Sequence, residues 1–380
     1  MKILQVIDSL DPRRGGAVPV VYNLSICLAA MGHQVTILTT ARQPARNLCG
    51  PNVTIVTIAS VTTSLVTIRR EIEAADVVHL HGLWDLILAA SSIICRRQGK
   101  QYIITPHGLL DPWALQQRAI KKALYTHLIA RSMLEAAVLV LALTKDEATH
   151  IKEQLHKATD VVVLPNGIPE ALVARAETAE RQRSEGPTVL FMGRITHKKG
   201  LDLLFPAFRM VLEEIPTARL RIVGACSASE QADLQKQATR AGIARQTSID
   251  LFMEPSDKYR ALADADVFVL PSRSEGFSVA VLEALALGVP VVISHHCHFA
   301  EVEMQGAGFI VDLHPTTIAS GILKIISDPQ LAAAMGNRGR DFIAGGFTWN
   351  SIAARLSHLL ASLGNLREHA TLTGPEHGTS

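Results

Sequence analysis

Short runs of aliphatic and β-branched residues recur along the chain. KILQVI, QVTILT, VTIVTI, DVVHL, QYIIT and VLVLAL lie in the first 145 residues. Apolar positions in these runs are nearly continuous rather than alternating, which predicts strands covered on both faces, as in a parallel sheet. Helical patterns separate several of them. VVYNLSICLAAMG is one, with Gly32 as its expected C-cap. The rhythm restarts at TVLFMG and continues through RLRIVG, DVFVLP and VPVVIS. The predicted fold class is α/β: two doubly wound, Rossmann-like domains, each with a crevice at the carboxyl ends of its strands. The segment EALVARAETAERQRSEGP, from Glu170 to Pro187, is charged, shows no apolar face worth burying, and reads as a linker or a surface helix. The expected domains are 1–170 and 185–346, followed by a polar, flexible tail over 365–380.

Composition narrows the function. At 380 residues and 48% hydrophobic side chains, the chain can fill two cores at about 150 residues per domain. Lys+Arg and Asp+Glu nearly balance, at 37 against 35, and aromatic residues reach only 4%; neither favours nucleic-acid binding. The five cysteines, Cys27, Cys49, Cys95, Cys226 and Cys297, are scattered and form no Cys-x-x-Cys pair. A disulfide scaffold or zinc ribbon is not expected, and a reducing compartment fits. The opening MKILQVIDSLD meets Asp8 too early for a signal-peptide core. The long uncharged stretches at 47–68 and 284–300 are broken by Pro51 and Pro290, so neither is expected to span a bilayer. A cytoplasmic enzyme or binding protein is expected, with peripheral contact at the inner membrane face left open.

Four strand ends carry polar groups. After the first, Gly15 and Gly16 precede a helix expected near Val18. Glycines there let backbone N–H groups approach an anion, or simply make a flexible turn. No Gly-x-Gly-x-x-Gly dinucleotide fingerprint is present. HLHGLWD and TPHGLLDPW place His81 and His107 near strand ends, where an imidazole can meet a phosphate or a sugar hydroxyl. FMGRITHKKGLD brings Arg194, His197, Lys198 and Lys199 together, a set suited to a diphosphate. In PSRSEGFSVAVLEALALGVPVV, Glu275 precedes a helix expected from Phe277, and Glu283 lies eight positions on. At about 1.5 Å per residue the two acids stand on the order of 12 Å apart, too far for a glycosidase pair at roughly 5–9.5 Å. That spacing suits one ligand gripped at two ends. His295, His296, Cys297 and His298 look metal-like by type, yet four neighbouring residues rarely supply tetrahedral ligands; no metal site is expected.

With these pieces in order, the sequence resembles a retaining glycosyltransferase of family 4 with the GT-B fold, in which two Rossmann-like domains face each other across a cleft. The resemblance runs through GGAVPVVYNLSICLAAMGHQVTILTT, DVVHLHG, TPHG, LPNGI, GRITHKKGLDLL, RLRIVG, the Glu275–Glu283 segment, GAGFIV and FTW. PHGLLDPWAL and CHFAEV are similar to the branch that builds bacterial surface polysaccharides. The resemblance implies hexosyl transfer from a UDP- or GDP-sugar to a glycan or lipid-linked acceptor, with no cofactor and no metal. By the same resemblance Arg194 and Lys199 hold the donor diphosphate, and Glu275 with the backbone of Gly276, Phe277 and Ser278 holds the transferred sugar and phosphates. Glu283 takes the ribose diol. Gly15 and Gly16 approach the diphosphate from the other domain, and His107 lines the reaction centre. Asn166 and Gly167 shape the turn between domains, and a last helix, about 348–364, crosses back to the first domain. FMEPSDKY carries Met253 and Glu254 where the family commonly has Gly, which leaves the base open.

Cations aimed at the departing diphosphate stabilise charge as it develops. The stretch ALQQRAIKKALYTHLIARSM, with Arg118, Lys121, Lys122 and Arg131, reads as an exposed basic helix or as a contact to an anionic membrane. The competing functions are a nucleotide-sugar epimerase or a phosphorylase on the same fold, and, further off, an NAD-dependent oxidoreductase.

Overall fold

A computed structural model describes residues 1–11, 16–40, 52–111, 125, 129–175, 185–224, 227–250 and 255–372. The chain divides into two compact units, Met1–Pro165 with Trp349–Ser380, and Asn166–Thr348. Among the described residues no helix is long and apolar enough to cross a membrane.

The first unit holds seven parallel strands: β1 Lys2–Val6, β2 Gln34–Thr39, β3 Val53–Thr57, β4 Val77–His81, β5 Tyr102–Thr105, β6 Leu139–Ala142 and β7 Val161–Val163. Their order is β3-β2-β1-β4-β5-β6-β7. The chain leaves β1 in one direction and returns to its other side at β4, so the topological switch point lies between β1 and β4. Apolar side chains fill both faces. Leu4, Val6, Val78, Leu80 and Ile104 pack on one. Ile3, Val35, Ile37, Val77 and Ile103 pack on the other, beneath the helix Ala17–Ala30. The C-terminal helix Trp349–Leu372 completes that second face. Trp349, Ile352, Ala353, Leu356 and Leu360 are buried in it, and His33 Nε2 meets Ser357 Oγ at 2.8 Å. Each Ile or Leu among them contributes about 1.5–3 kcal/mol when fully buried. The helix runs to Leu372, past residue 365 where a polar tail was expected; LREHATL contains no Gly or Pro, and the first helix breaker is Gly374.

The second unit holds six parallel strands: β8 Thr188–Met192, β9 Arg219–Val223, β10 Thr247–Asp250, β11 Val267–Leu270, β12 Val291–Ser294 and β13 Gly308–Val311. The order β10-β9-β8-β11-β12-β13 puts the switch point between β8 and β11. One continuous core joins Phe191, Phe208, Phe268, Ile293 and Ile322. The segment read as lacking an apolar face contains a short helix, Glu170–Arg175, whose Leu172 enters this core. One side chain anchors a turn of helix that composition alone reads as linker; residues 176–184 lie outside the described part.

Candidate active site

The clamp in the second unit is built by backbone first. After β8 the chain makes a 3-10 turn, His197–Lys199, and Gly200 turns it into the helix Leu201–Glu214 with φ 74°. A Cβ at Gly200 would stand 1.9 Å from the carbonyl oxygen of Pro271, so glycine lets two strand-end loops touch. The Arg273 N–H donates to Lys198 O at 2.7 Å, and Ser272 Oγ donates to the same oxygen at 3.1 Å. Arg273 also binds His197 O at 2.8 Å and makes a two-pronged pair with Asp202, at 2.8 and 2.7 Å. That pairing holds the Asp202 carboxyl below its ordinary range. On this base Lys199 Nζ reaches Glu275 Oε1 at 2.6 Å. Glu275 is buried, and its own N–H donates to His296 O at 2.9 Å. Arg194 sits in the same loop, exposed.

The helix beyond Glu275 spans Val279–Ala286 with Ser278 as N-cap, two residues later than the expected start at Phe277. Ser278 is extended (φ −87°, ψ 102°), which keeps 276–278 out of the helix. The N–H groups of Gly276, Phe277 and Ser278 donate to no acceptor among the described residues. They lie at the positive end of the helix, where an anion is stabilised. Glu283 is buried within the same helix. Its Oε1 accepts from Lys258 Nζ at 2.5 Å, while Oε2 has no partner among the described residues. Burial raises the Glu283 pKa, and Lys258 opposes that rise. An acid so placed, with one oxygen unsatisfied, is ready to accept hydrogen bonds from a diol.

Cys297 Sγ is buried, 3.5 Å from Leu270 O, and burial pushes its thiol up to about 12. Among the described residues no group of three or more His, Cys, Asp or Glu is arranged to hold a metal.

In the first unit, Gly16 caps the helix Ala17–Ala30 with φ 55° and ψ −101°, is exposed, and leaves open space where a Cβ would stand. Gly15 lies outside the described residues. His107 follows β5 in the left-handed region, φ 59°, and Gly108 continues the turn at φ 75°. The Gly108 N–H donates to Glu147 Oε1 at 2.6 Å, and Leu143 N–H donates to Glu147 Oε2 at 2.6 Å, so one buried acid fixes the turn. His107 Nε2 lies 3.0 Å from His81 Nδ1. His81 Nε2 in turn meets Gln5 Oε1, and His79 Nε2 meets Thr105 Oγ1 at 2.8 Å. The His79 and His81 ring centroids are 3.8 Å apart. Burial lowers all three imidazoles, His79 to about 3 and His107 to about 4, so they are neutral at pH 7.

Residues 174–342 match the family of glycosyl transferases group 1, and residues 14–172 match Glycosyltransferase Family 4. The chain belongs to the family 4 glycosyltransferases. Along 96% of this glycosyltransferase and 96% of its relative, it is 28% identical to a GDP-mannose-dependent alpha-(1-6)-phosphatidylinositol dimannoside mannosyltransferase of Mycobacterium tuberculosis. It is 27% identical to a GDP-mannose:cellobiosyl-diphosphopolyprenol alpha-mannosyltransferase of Xanthomonas campestris, over 82% of this chain and 83% of that one. Among solved structures it is similar to a sucrose-phosphate synthase from Thermosynechococcus elongatus, with TM-score 0.73, 20% identity, and 96% and 99% of the two chains covered. It is also similar to Anabaena HepE in complex with UDP and glucose, with TM-score 0.75, 19% identity, and 95% and 100% covered. The fold is that of GT-B enzymes.

Of the glycosyltransferase's expected site residues, Lys199 and Glu275 meet directly, and Gly276, Phe277 and Ser278 adjoin them. Glu283 meets a residue that was not expected, Lys258. Asn166 is buried, its Oδ1 without a partner among the described residues. Gln5, Lys258, Glu147, Asp202 and Arg273 do not stand out in the sequence as site residues. The signal for Gln5 was present: it interrupts an otherwise apolar strand, KILQVI. Met253 and Glu254, where the base pocket was in question, lie outside the described residues, as do Arg118, Lys121 and Lys122. Arg131 is described, and its Nε donates to Gln154 O at 3.0 Å.

Proposed function

We propose that this glycosyltransferase moves a mannosyl residue from GDP-mannose to a lipid-linked saccharide, with retention of anomeric configuration and without a metal. The Lys199–Glu275 contact, beside three uncommitted N–H groups, is the observation that carries this reading. As the sugar C1–O bond lengthens, negative charge gathers on the diphosphate. Lys199, Arg194 and the helix N-terminus stabilise that charge, more in the transition state than in the ground state. Glu275 orients the transferred sugar, and Glu283 accepts from the ribose hydroxyls. The departing phosphate oxygen takes the acceptor's proton on the face it leaves, so no side chain needs to act as base. GDP-mannose is favoured over UDP-sugars because the relatives similar along most of this chain use it. The same relatives support a lipid-linked acceptor and hence a peripheral position at a membrane.

The test is a transfer assay on a polyprenyl-diphosphate-linked disaccharide and a phosphatidylinositol mannoside. Donors are GDP-mannose, UDP-glucose and UDP-N-acetylglucosamine, each with and without EDTA. Turnover with GDP-mannose that survives EDTA, giving an α-linked product by NMR, is expected. Turnover with UDP-sugars alone, or loss in EDTA restored by manganese, counts against the proposal.

A further inference from the structure

Gln5, His79, His81 and Thr105 sit on one face of the first sheet. Gln5 pairs with His79 between β1 and β4, and His81 pairs with Thr105 between β4 and β5. Side chains alternate along each strand, so these four share the face of Ile3, Val77 and Ile103. They form its carboxyl end, at the switch point. The contacts among them run His79 Nε2 to Thr105 Oγ1 and His81 Nε2 to Gln5 Oε1, while Gln5 Nε2 and His79 Nδ1 have no partner among the described residues.

The matching has a direction. Gln5 presents its Oε1 to His81, and an amide oxygen can only accept. The proton facing it is therefore on His81 Nε2. His81 is buried beyond the reach of water and stays neutral, so its Nδ1 is a lone pair. His107 Nε2, 3.0 Å away, must supply the proton between them. His107 is neutral too, so its Nδ1 carries the second lone pair, with no partner among the described residues. The turn bearing it is held by Glu147 at Gly108 N–H, so ring placement is fixed from the other side as well.

We infer that Gln5 and His81 are positioning residues that fix His107 as the tautomer protonated on Nε2, so that Nδ1 accepts a hydrogen bond from a sugar hydroxyl. The relay Gln5–His81–His107 thus sets the polarity of a group two residues beyond the end of β5. The sugar hydroxyl as recipient rests on the proposed glycosyl transfer; the tautomer does not.

The experiment is long-range 15N–1H correlation NMR on the full chain, labelled at histidine nitrogen, at pH 7.5 without substrate, with signals assigned by single histidine substitutions. His81 and His107 are expected protonated on Nε2 with unprotonated Nδ1. Gln5→Leu removes the acceptor and is expected to admit the Nδ1–H form at both rings; Gln5→Glu, which only accepts when ionised, restores the wild-type pattern at pH 7.5. In the same variants kcat/KM for GDP-mannose falls about tenfold with Leu and recovers with Glu, the size of one hydrogen bond, while the inhibition constant of GDP, which lacks the sugar, does not move. A wild-type His107 protonated on Nδ1 overturns the inference, as does a Gln5→Leu chain with unchanged tautomers. If Gln5→Leu does not fold, the wild-type spectrum alone decides the tautomer. An absence of transfer from every donor with the expected tautomers would remove the sugar recipient and the proposed function, leaving the relay intact.

Discussion

Lys199 donates to Glu275 at 2.6 Å with both side chains largely withdrawn from water, 16% and 10% exposed. A contact of this kind is weak evidence for stability, because desolvation offsets most of the Coulomb gain. On the proposed function its sense is chemical: the ammonium is held in the loop after β8, where an arriving diphosphate would compete with Glu275 for it. Lys199→Ala is expected to lower kcat at least 100-fold, the scale of losing one preorganised charge at developing negative charge. Circular dichroism should show the folded content unchanged. Turnover within threefold of wild type would remove the clamp from the mechanism.

On the proposed function Glu283 trades stability for binding. Its folded pKa lies above the ordinary 4.5, so the neutral acid is the form the fold prefers. The associated stability is fully present below pH 4.5 and is lost as pH rises through the folded value. Glu283→Gln imitates the neutral acid, and Lys258, 32% exposed, can be solvated in its absence. The variant's melting temperature minus that of wild type should therefore grow between pH 4.5 and 8 in calorimetry. A flat difference would contradict the assignment. Above the folded value, where wild-type Glu283 is ionised, the variant's GDP affinity should fall about tenfold or more, from loss of a charge-assisted hydrogen bond of roughly 1.5–3 kcal/mol.

How much of this the sequence carried depends on burial. Central strands such as β4 and β11 are covered on both faces, and DVVHL and DVFVLP read as strands without ambiguity. β7, β10 and β13 are edge strands of three or four residues, half-covered, and their pattern is correspondingly faint. The clamp was legible because charge at a strand end is conspicuous: Lys199 and Glu275 are 76 positions apart yet each marks its own loop. Lys258 was not, because a lysine beside Tyr259 on a mainly polar helix is indistinguishable from a solvated one until Glu283 is seen beneath it. Gln5 was missed for the opposite reason. One amide in an apolar strand reads as tolerated noise unless its cross-strand neighbours, His79 and His81, are brought alongside.

Burial of the three imidazoles predicts an acid-labile first unit. His79 and His107 are lowered from 6.5 to about 3 and about 4, and His81 lies well below its ordinary value, in each case chiefly by desolvation. A lowered imidazole contributes stability that is present above pH 6.5 and is lost as pH falls towards the folded value. Melting temperature should therefore drop between pH 6.5 and 4. His79→Gln keeps a donor for Thr105 but cannot take up the proton, and should flatten that drop. Parallel profiles for the two chains would show that His79 does not carry it.

Two glycines beside the clamp separate folding from binding. Gly200 has φ 74°, and a Cβ there would lie 1.9 Å from the Pro271 carbonyl oxygen, a backbone atom that cannot step aside without moving the Ser272–Glu275 loop. Gly200→Ala should cost about 3 kcal/mol, roughly 6–12 °C in melting temperature for a unit of 150–250 residues. It should also displace Glu275 from Lys199 and so abolish transfer. Gly193 is different: a Cβ there meets only the Lys199 side chain, Cε at 3.6 Å, an ordinary contact. Gly193→Ala should melt within about 2 °C of wild type, since a surface-compatible change is worth roughly 0.5 kcal/mol. The added methyl packs on the Lys199 side chain that the proposed function gives to the diphosphate, so the KM for GDP-mannose should rise while the melt stays within that margin. Equal effects of the two substitutions on melting temperature would show that the close approach at Pro271 is not what glycine serves.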